Sequence, residues 1–181
     1  MRSEEFFDSF RQSAWRLEAL PAYGTVQSDP SFAAYLRAGR VVPPLEERPP
    51  KQSWMAAVRQ AIAGGKRLGR VHVLSRPLSR PLSPYLEYEL ATYPENVEAG
   101  EDVRIADADE HPELADLGPD FWLLDDETPR PAVLLMTYDH AGRFLSLEHT
   151  TEPIVVARCR RVRDLAVRCS VPLDQFLAIA R

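Results

Sequence analysis

Two hydrophobic periods alternate along this chain, and each change of period marks a boundary between elements. Phe6, Phe7 and Phe10 recur at helical spacing over residues 4–11. Trp15, Leu17 and Ala19 then alternate with Arg16 and Glu18, the two-residue period of a strand with one polar face, halted by Pro21. Over residues 29–38 the helical period returns: Asp29 caps, Pro30 takes the first position, and Phe32, Ala33, Tyr35 and Leu36 form the apolar side. Residues 39–53, with Pro43, Pro44, Pro49, Pro50, Glu46 and Glu47, read as a connecting loop. Ser53 is then expected to cap a helix through Trp54, Val58, Ala61 and Ile62, closed by Gly64 and Gly65.

Residues 68–74 show the β-branched alternation of a strand, so helix, glycine stop and strand make the step of a layered α/β domain. Ser-Arg-Pro-Leu occurs twice over residues 75–82, within an extended proline-rich loop, and a helix follows over 85–93. Further strands are expected at 103–106, 121–124, 132–138 and 143–149. The last two flank a turn at Asp139-His140-Ala141-Gly142. Two helices, 153–168 and 172–180, end the chain, with Pro153 opening one and Pro172 separating them. The pattern predicts one α/β domain, with α+β as the alternative: a mixed β-sheet flanked by helices over residues 54–181. Residues 1–42 form a helix–strand subdomain packed on it, and residues 43–53 connect the two.

Composition narrows the function. A chain of 181 residues with 45% hydrophobic positions suits a single core. The net charge of −5 argues against non-specific nucleic-acid binding, which depends on neutralising phosphates. Basic charge is carried by twenty Arg and only Lys51 and Lys66. The two cysteines, Cys159 and Cys169, are ten residues apart, and would leave on different faces if they shared one helix. That spacing is about 1,000° of rotation, so no disulfide is expected and a reducing cytoplasm fits. No stretch reaches the length of a membrane span, and none is expected to enter a membrane.

Motifs that carry chemistry are missing. There is no Gly-x-Ser-x-Gly, Ser-x-x-Lys, phosphate-binding Gly-rich loop, Gly-x-Gly-x-x-Gly, calcium-loop spacing or His-x-x-x-His. No catalytic residue, cofactor or metal site is therefore assigned. His111, before Pro112, reads as a solvated loop residue, and His140 belongs to a turn. Carboxylates gather at strand ends, in the run 95–102 and at Asp120, Asp125, Asp126 and Glu127, where they could hold Mg²⁺ or form ordinary acidic loops. Arg158, Arg161 and Arg168 make a stripe on one helix, flanked by Arg160 and Arg163. That stripe could grip phosphates or find partners within the acidic loops. Arg16 and Glu18, and Arg70 and His72, pair on polar strand faces, with Glu87, Glu89, Tyr23, Tyr85, Tyr88 and Tyr138 as further candidates to line a cleft.

Several segments carry a resemblance. Residues 13–18 (Ser-Ala-Trp-Arg-Leu-Glu), 70–75 (Arg-Val-His-Val-Leu-Ser), 81–90, 96–104, 120–126 (Asp-Phe-Trp-Leu-Leu-Asp-Asp) and 138–144 are similar, in this order, to an uncharacterised actinobacterial family, domain of unknown function 6879. The chain departs from it by the second Ser-Arg-Pro-Leu copy and by Pro129 and Pro131. Members are often encoded near helix-turn-helix regulators, so the resemblance implies a regulatory or accessory role and supplies no catalytic residues. The element order also resembles, faintly, half of a phospholipase D-like domain. The His-x-Lys that superfamily requires is absent, because no His precedes Lys51 or Lys66 by two.

The expectation is a non-catalytic cytoplasmic protein in which Arg16, Glu18, Arg70, His72, Glu101, Arg104 and Asp120 line a cleft for a small ligand or a partner protein, such as a helix-turn-helix regulator. The competing expectation is a small enzyme using carboxylates and His72 as acid and base. Operator recognition by the arginine helix is a third.

Overall fold

The computed structural model describes residues 3–24, 28–74 and 81–179, with residues 3 and 4 as backbone only. Residues 75–80 of the Ser-Arg-Pro-Leu repeat lie outside the described residues. The strands are β1 (Ser13–Glu18), β2 (Arg67–Leu74), β3 (Asp102–Asp107), β4 (Phe121–Leu124), β5 (Ala132–Tyr138), β6 (Phe144–Thr150) and β7 (Ser170–Pro172). The described helices are α1 (Ser3–Asp8), α2 (Pro30–Arg37), α3 (Pro49–Ala63), α4 (Pro84–Glu98), α5 (Pro153–Arg168) and α6 (Leu173–Ile179).

All seven strands join one mixed sheet in the order β6-β5-β4-β1-β2-β3-β7. The N-terminal helix–strand unit supplies its middle strand: β1 runs parallel to β2 and antiparallel to β4. Parallel neighbours need long crossovers. Helices α2 and α3 carry the chain from β1 to β2, and α4 carries it from β2 to the parallel β3. The fold is α/β, with helices on both faces.

Side chains of β1 alternate between the faces. Leu17 joins Val71, Val73, Phe121, Leu123 and Val133 under α5, which contributes Val156, Cys159 and Ala166. The other face, under α1, α3 and α4, carries two apolar clusters. One gathers Phe6, Phe10, Ala14, Met55, Val58 and Trp122, and the other Leu74, Tyr85, Leu90, Val103, Ile105 and Phe176. Between them the same face presents Arg16 beside Arg70 and Glu18 beside His72 in adjacent register.

Both crossover helices end with the same device. In α3, Gly65 N–H bonds to Ile62 O at 2.9 Å and Lys66 N–H to Ala61 O at 3.0 Å. In α4, Gly100 N–H bonds to Val97 O at 2.9 Å and Glu101 N–H to Asn96 O at 3.0 Å. Gly65 and Gly100 have φ of 81° and 99°, a region open to glycine without cost. The second of these stops turns Glu101 back under its own helix, toward Arg70.

Three boundaries differ from the expectation. Helix α3 starts at Pro49, not Ser53, because the first turn needs no N–H donors and accepts two prolines. Helix α4 continues to Glu98, so half of the acidic run is helical. Ser170–Pro172 forms a short strand before the last helix.

The turn after β5 tests this framework. Gly142 has φ of 70°, and a Cβ there would lie 2.3 Å from Ala22 O, in a loop also tied by Gly24 N–H to Gly142 O at 2.8 Å. Gly39, with φ of 68°, has nothing within 4 Å of such a Cβ. Gly142→Ala should lower stability to urea by about 2–3 kcal/mol, and Gly39→Ala by only about 1 kcal/mol. Equal costs would show that loop 19–24 does not press on the turn.

Candidate functional site

Burying an ion is costly unless partners replace its water. Arg70, in the middle of β2, is 6% exposed, and its position on the α4 side of the sheet dictates much of what surrounds it. Its Nε donates to Glu101 Oε1 at 2.6 Å and its Nη1 to Glu18 Oε2 at 3.1 Å. Its guanidinium lies over the Tyr93 ring, 5.4 Å from the centroid. Glu101 is in turn held by Asn96 Nδ2 at 2.6 Å, and Asn96 Oδ1 accepts from Lys51 Nζ at 2.5 Å. The links come from β1, β2, the buried face of α4, the turn that ends it, and the start of α3.

Glu18 is shared. Its Oε1 lies 3.1 Å from Arg16 Nη2, and its Oε2 accepts from both Arg70 and the Tyr93 hydroxyl, the latter at 3.0 Å. Burial opposes the charge on Glu18, but Arg16 and Arg70 overcome it and hold the carboxylate well below its usual range. The Tyr93 hydroxyl also lies 2.8 Å from His72 Nδ1 and 3.3 Å from Glu89 Oε2. One phenolic proton cannot serve all three partners. With Glu18 ionised it belongs to Glu18, so His72 donates through Nδ1–H and Glu89 is best satisfied when protonated.

Burial acts on those two groups in opposite senses. It pushes Glu89 up to about 7, helped by the charge on Glu18. It pushes His72 down to about 4 despite Glu18, so the imidazole is neutral at physiological pH. The neutral fold of His72 is favoured, so its contribution to stability is present above pH 6.5 and lost as pH falls toward 4. Lys51, largely buried and near Arg70, is lowered to about 8. A hollow of about 290 Å³ bounded by Arg48, Lys51, Tyr88, Glu89 and Thr92 reaches this side of the network. A larger hollow, about 470 Å³, lies at the opposite ends of the parallel strands. Four of its charged groups are already paired, Arg163 with Asp126 and Arg67 with Glu127, and Lys66 donates to Phe7 O and Phe10 O.

Asp120 enters from the far side. It accepts from Ala19 N–H at 2.9 Å and from the Tyr23 hydroxyl at 2.5 Å. The Tyr23 ring is 5.7 Å from the Arg16 guanidinium and edge-on to His72. Burial raises the Asp120 carboxyl above its usual range.

Six of the seven expected residues, Arg16, Glu18, Arg70, His72, Glu101 and Asp120, therefore meet in one place. The expectation of Arg104 there is corrected. Its register partner is Val71, so it projects from the other face and binds Ser170 Oγ and O at 2.9 and 3.0 Å, holding β7. The group is also packed beneath helices rather than lining an open cleft; Arg16 alone among the six is not buried, its side chain 19% exposed. Tyr93, Asn96 and Lys51 were not anticipated. Glu89, Tyr93 and Asn96 at i, i+4, i+7 form a polar stripe on the apolar side of α4, a signal that was available.

Two further carboxylates, Asp125 and Asp126, are occupied by the chain itself. Asp125 accepts N–H bonds from Arg11, Gln12 and Ser13, and Asp126 pairs with Arg160 and Arg163. This also removes two of the five helix arginines from service to a phosphate.

The chain belongs to the family described as a domain of unknown function (DUF6879), whose model matches residues 1–178. No curated protein matches it. Among the described residues, no helix is long and apolar enough to cross a membrane.

Two predictions follow from the network's electrostatics. Arg70→Ala leaves Glu18 and Glu101 buried without their common counter-ion and should cost about 3–5 kcal/mol in urea unfolding; a cost below about 1 kcal/mol would mean the carboxylates find other partners. For Glu89, whose pKa is raised by folding, stability is full below 4.5 and lost as pH rises through 7. Over that range the wild type should lose on the order of 2 kcal/mol relative to Glu89→Gln. Parallel pH profiles of the two proteins would contradict the assignment.

Proposed function

We propose that this is a non-catalytic, accessory protein of the cytoplasm that binds a small ligand through an anionic group, and that Arg16 is the residue that receives it. The observation that carries this reading is the state of the Arg16 guanidinium. Its Nε is buried and has no hydrogen-bond partner, which among the described residues is otherwise true only of Glu95 Oε2. Its ion pair is incomplete as well, since Glu18 is shared with Arg70, while Arg70 has Glu101 besides.

The surroundings fit such a role. Trp122 and Tyr23 flank the guanidinium at 5.5 and 5.7 Å from their centroids, fixing its plane, and Glu18 anchors one Nη. A fork held in this way offers its remaining N–H groups without further ordering cost, which favours a planar carboxylate. Against acid–base chemistry stands His72: it is neutral, 2% exposed, and bonded to a phenol rather than directly to a carboxylate. A base so enclosed has no approach to a substrate proton.

Thermal unfolding in the presence of acetate, succinate, benzoate and inorganic phosphate tests the proposal, alongside native mass spectrometry of the purified chain. At a hundredfold excess over Kd an anion that binds should stabilise by about 2.7 kcal/mol, roughly 5–10 °C in Tm. Arg16→Met should abolish the rise, and Arg16→Lys should weaken it, because an ammonium lacks the fork. An anion effect or a co-purified mass that persists unchanged in Arg16→Met would sink the assignment.

A further inference from the structure

A second set of side chains meets far from the network and outside any sequence spacing. The loop after β3 makes one tight turn at Pro112–Leu114, closed by Leu114 N–H to His111 O at 3.0 Å. That turn brings His111 Nδ1 to 3.6 Å from Glu113 Oε1. Cys169, 56 residues onward at the end of α5, directs its Sγ to the same oxygen at 3.4 Å. The three donor atoms lie within 4.8 Å of one another.

These lengths match a coordination shell. Zinc takes nitrogen and oxygen at about 2.0–2.1 Å and sulfur at about 2.3 Å, so neighbouring ligands at the tetrahedral angle are roughly 3.3–3.6 Å apart. Two of the three separations are already there. The third, Cys169 to His111, is at most 4.8 Å and so needs to close by no more than about 1.3 Å. The donor types select the ion: calcium and magnesium take oxygen, whereas thiol, imidazole and carboxylate together suit zinc. None of the three is buried, so the ion and a water at the fourth position have access.

We propose that His111, Glu113 and Cys169 form a three-ligand Zn²⁺ site that ties the connection between β3 and β4 to the end of α5. On binding, the Cys169 thiol releases its proton to solvent and the thiolate sulfur joins the metal. Glu113 Oε1 exchanges its contact with the thiol for the ion, and His111 binds through Nδ1 with its proton on Nε2. Distance along the chain conceals the set, because the cysteine has no histidine or second cysteine near it in sequence.

Co²⁺ titration of the full chain, with Zn²⁺ as competitor, tests the site. The expected result is one equivalent of Co²⁺, intense visible bands of a four-coordinate ion, a thiolate-to-cobalt band in the near ultraviolet, and displacement by Zn²⁺. Cys169→Ser should lose the near-ultraviolet band, and Cys159→Ser should keep it. His111→Ala should weaken Zn²⁺ binding by at least the roughly tenfold that loss of an outer partner alone can cost. Circular dichroism of each variant separates loss of metal from loss of fold. A spectrum without the thiolate band, or one that survives in a folded Cys169→Ser, would overturn the proposal.

Discussion

One guanidinium sets the terms for the helical layer on its side of the sheet. Arg70 is placed in the central parallel strand, where most such strands are continuously apolar, and a charge there must be met from several directions at once. Glu18 comes from the neighbouring strand and Glu101 from the turn that ends α4. Asn96 and Tyr93 come from the buried side of that helix, and Lys51 from the first turn of α3. The crossover helices cannot slide on the sheet without breaking these bonds. The apolar clusters on either side supply most of the burial, and the ions between them supply the register.

The same logic holds the first strand in place. Strand β1 is six residues long yet is paired on both edges, and each of its ends is fastened by an aspartate flanking β4. Asp125 gathers the three amides that lead into it, and Asp120 takes the amide that leaves it. Read as sequence, this acidic bracket allowed a metal site; in the fold its oxygens accept from backbone amides and from the Tyr23 hydroxyl. Asp125 accepts φ of 50° to do so, a conformation that costs a non-glycine residue about 1 kcal/mol or more and is repaid by the amides it satisfies.

Much of this was legible in the residues. Alternation placed Arg16 with Glu18 and Arg70 with His72 on polar strand faces, and register then set the two pairs side by side. What local pattern could not supply was the direction of each face. Arg104 looked equivalent to Arg70, but a shift of one residue in parity sends it to the opposite side of the sheet. Nor does composition distinguish a wet face from a buried ionic one, because the same side chains serve both. The helix start at Pro49 escapes the pattern for a related reason: proline reads as punctuation, although the first turn is where a helix tolerates it. The meeting of His111 and Glu113 with Cys169 depends on the packing of α5, which no spacing rule encodes.

The network's chemistry also bears on the choice we propose between recognition and catalysis. A general base needs an accessible proton acceptor with a pKa near the working pH. Of the groups assembled here, His72 is pressed well below that range and enclosed. Glu18 is held ionised by two cations, which makes it a weak base. Glu89 is raised to about 7, the value an acid–base residue would have, and it borders the hollow beside Lys51, but it is buried and its carboxyl oxygen is engaged by the Tyr93 hydroxyl. Within the network itself, Arg16 keeps an unpartnered donor, and its charge does not titrate at any biological pH. An unsatisfied donor that cannot change its protonation state can hold a ligand but has no proton to trade, and that is the ground of our proposal of binding rather than turnover.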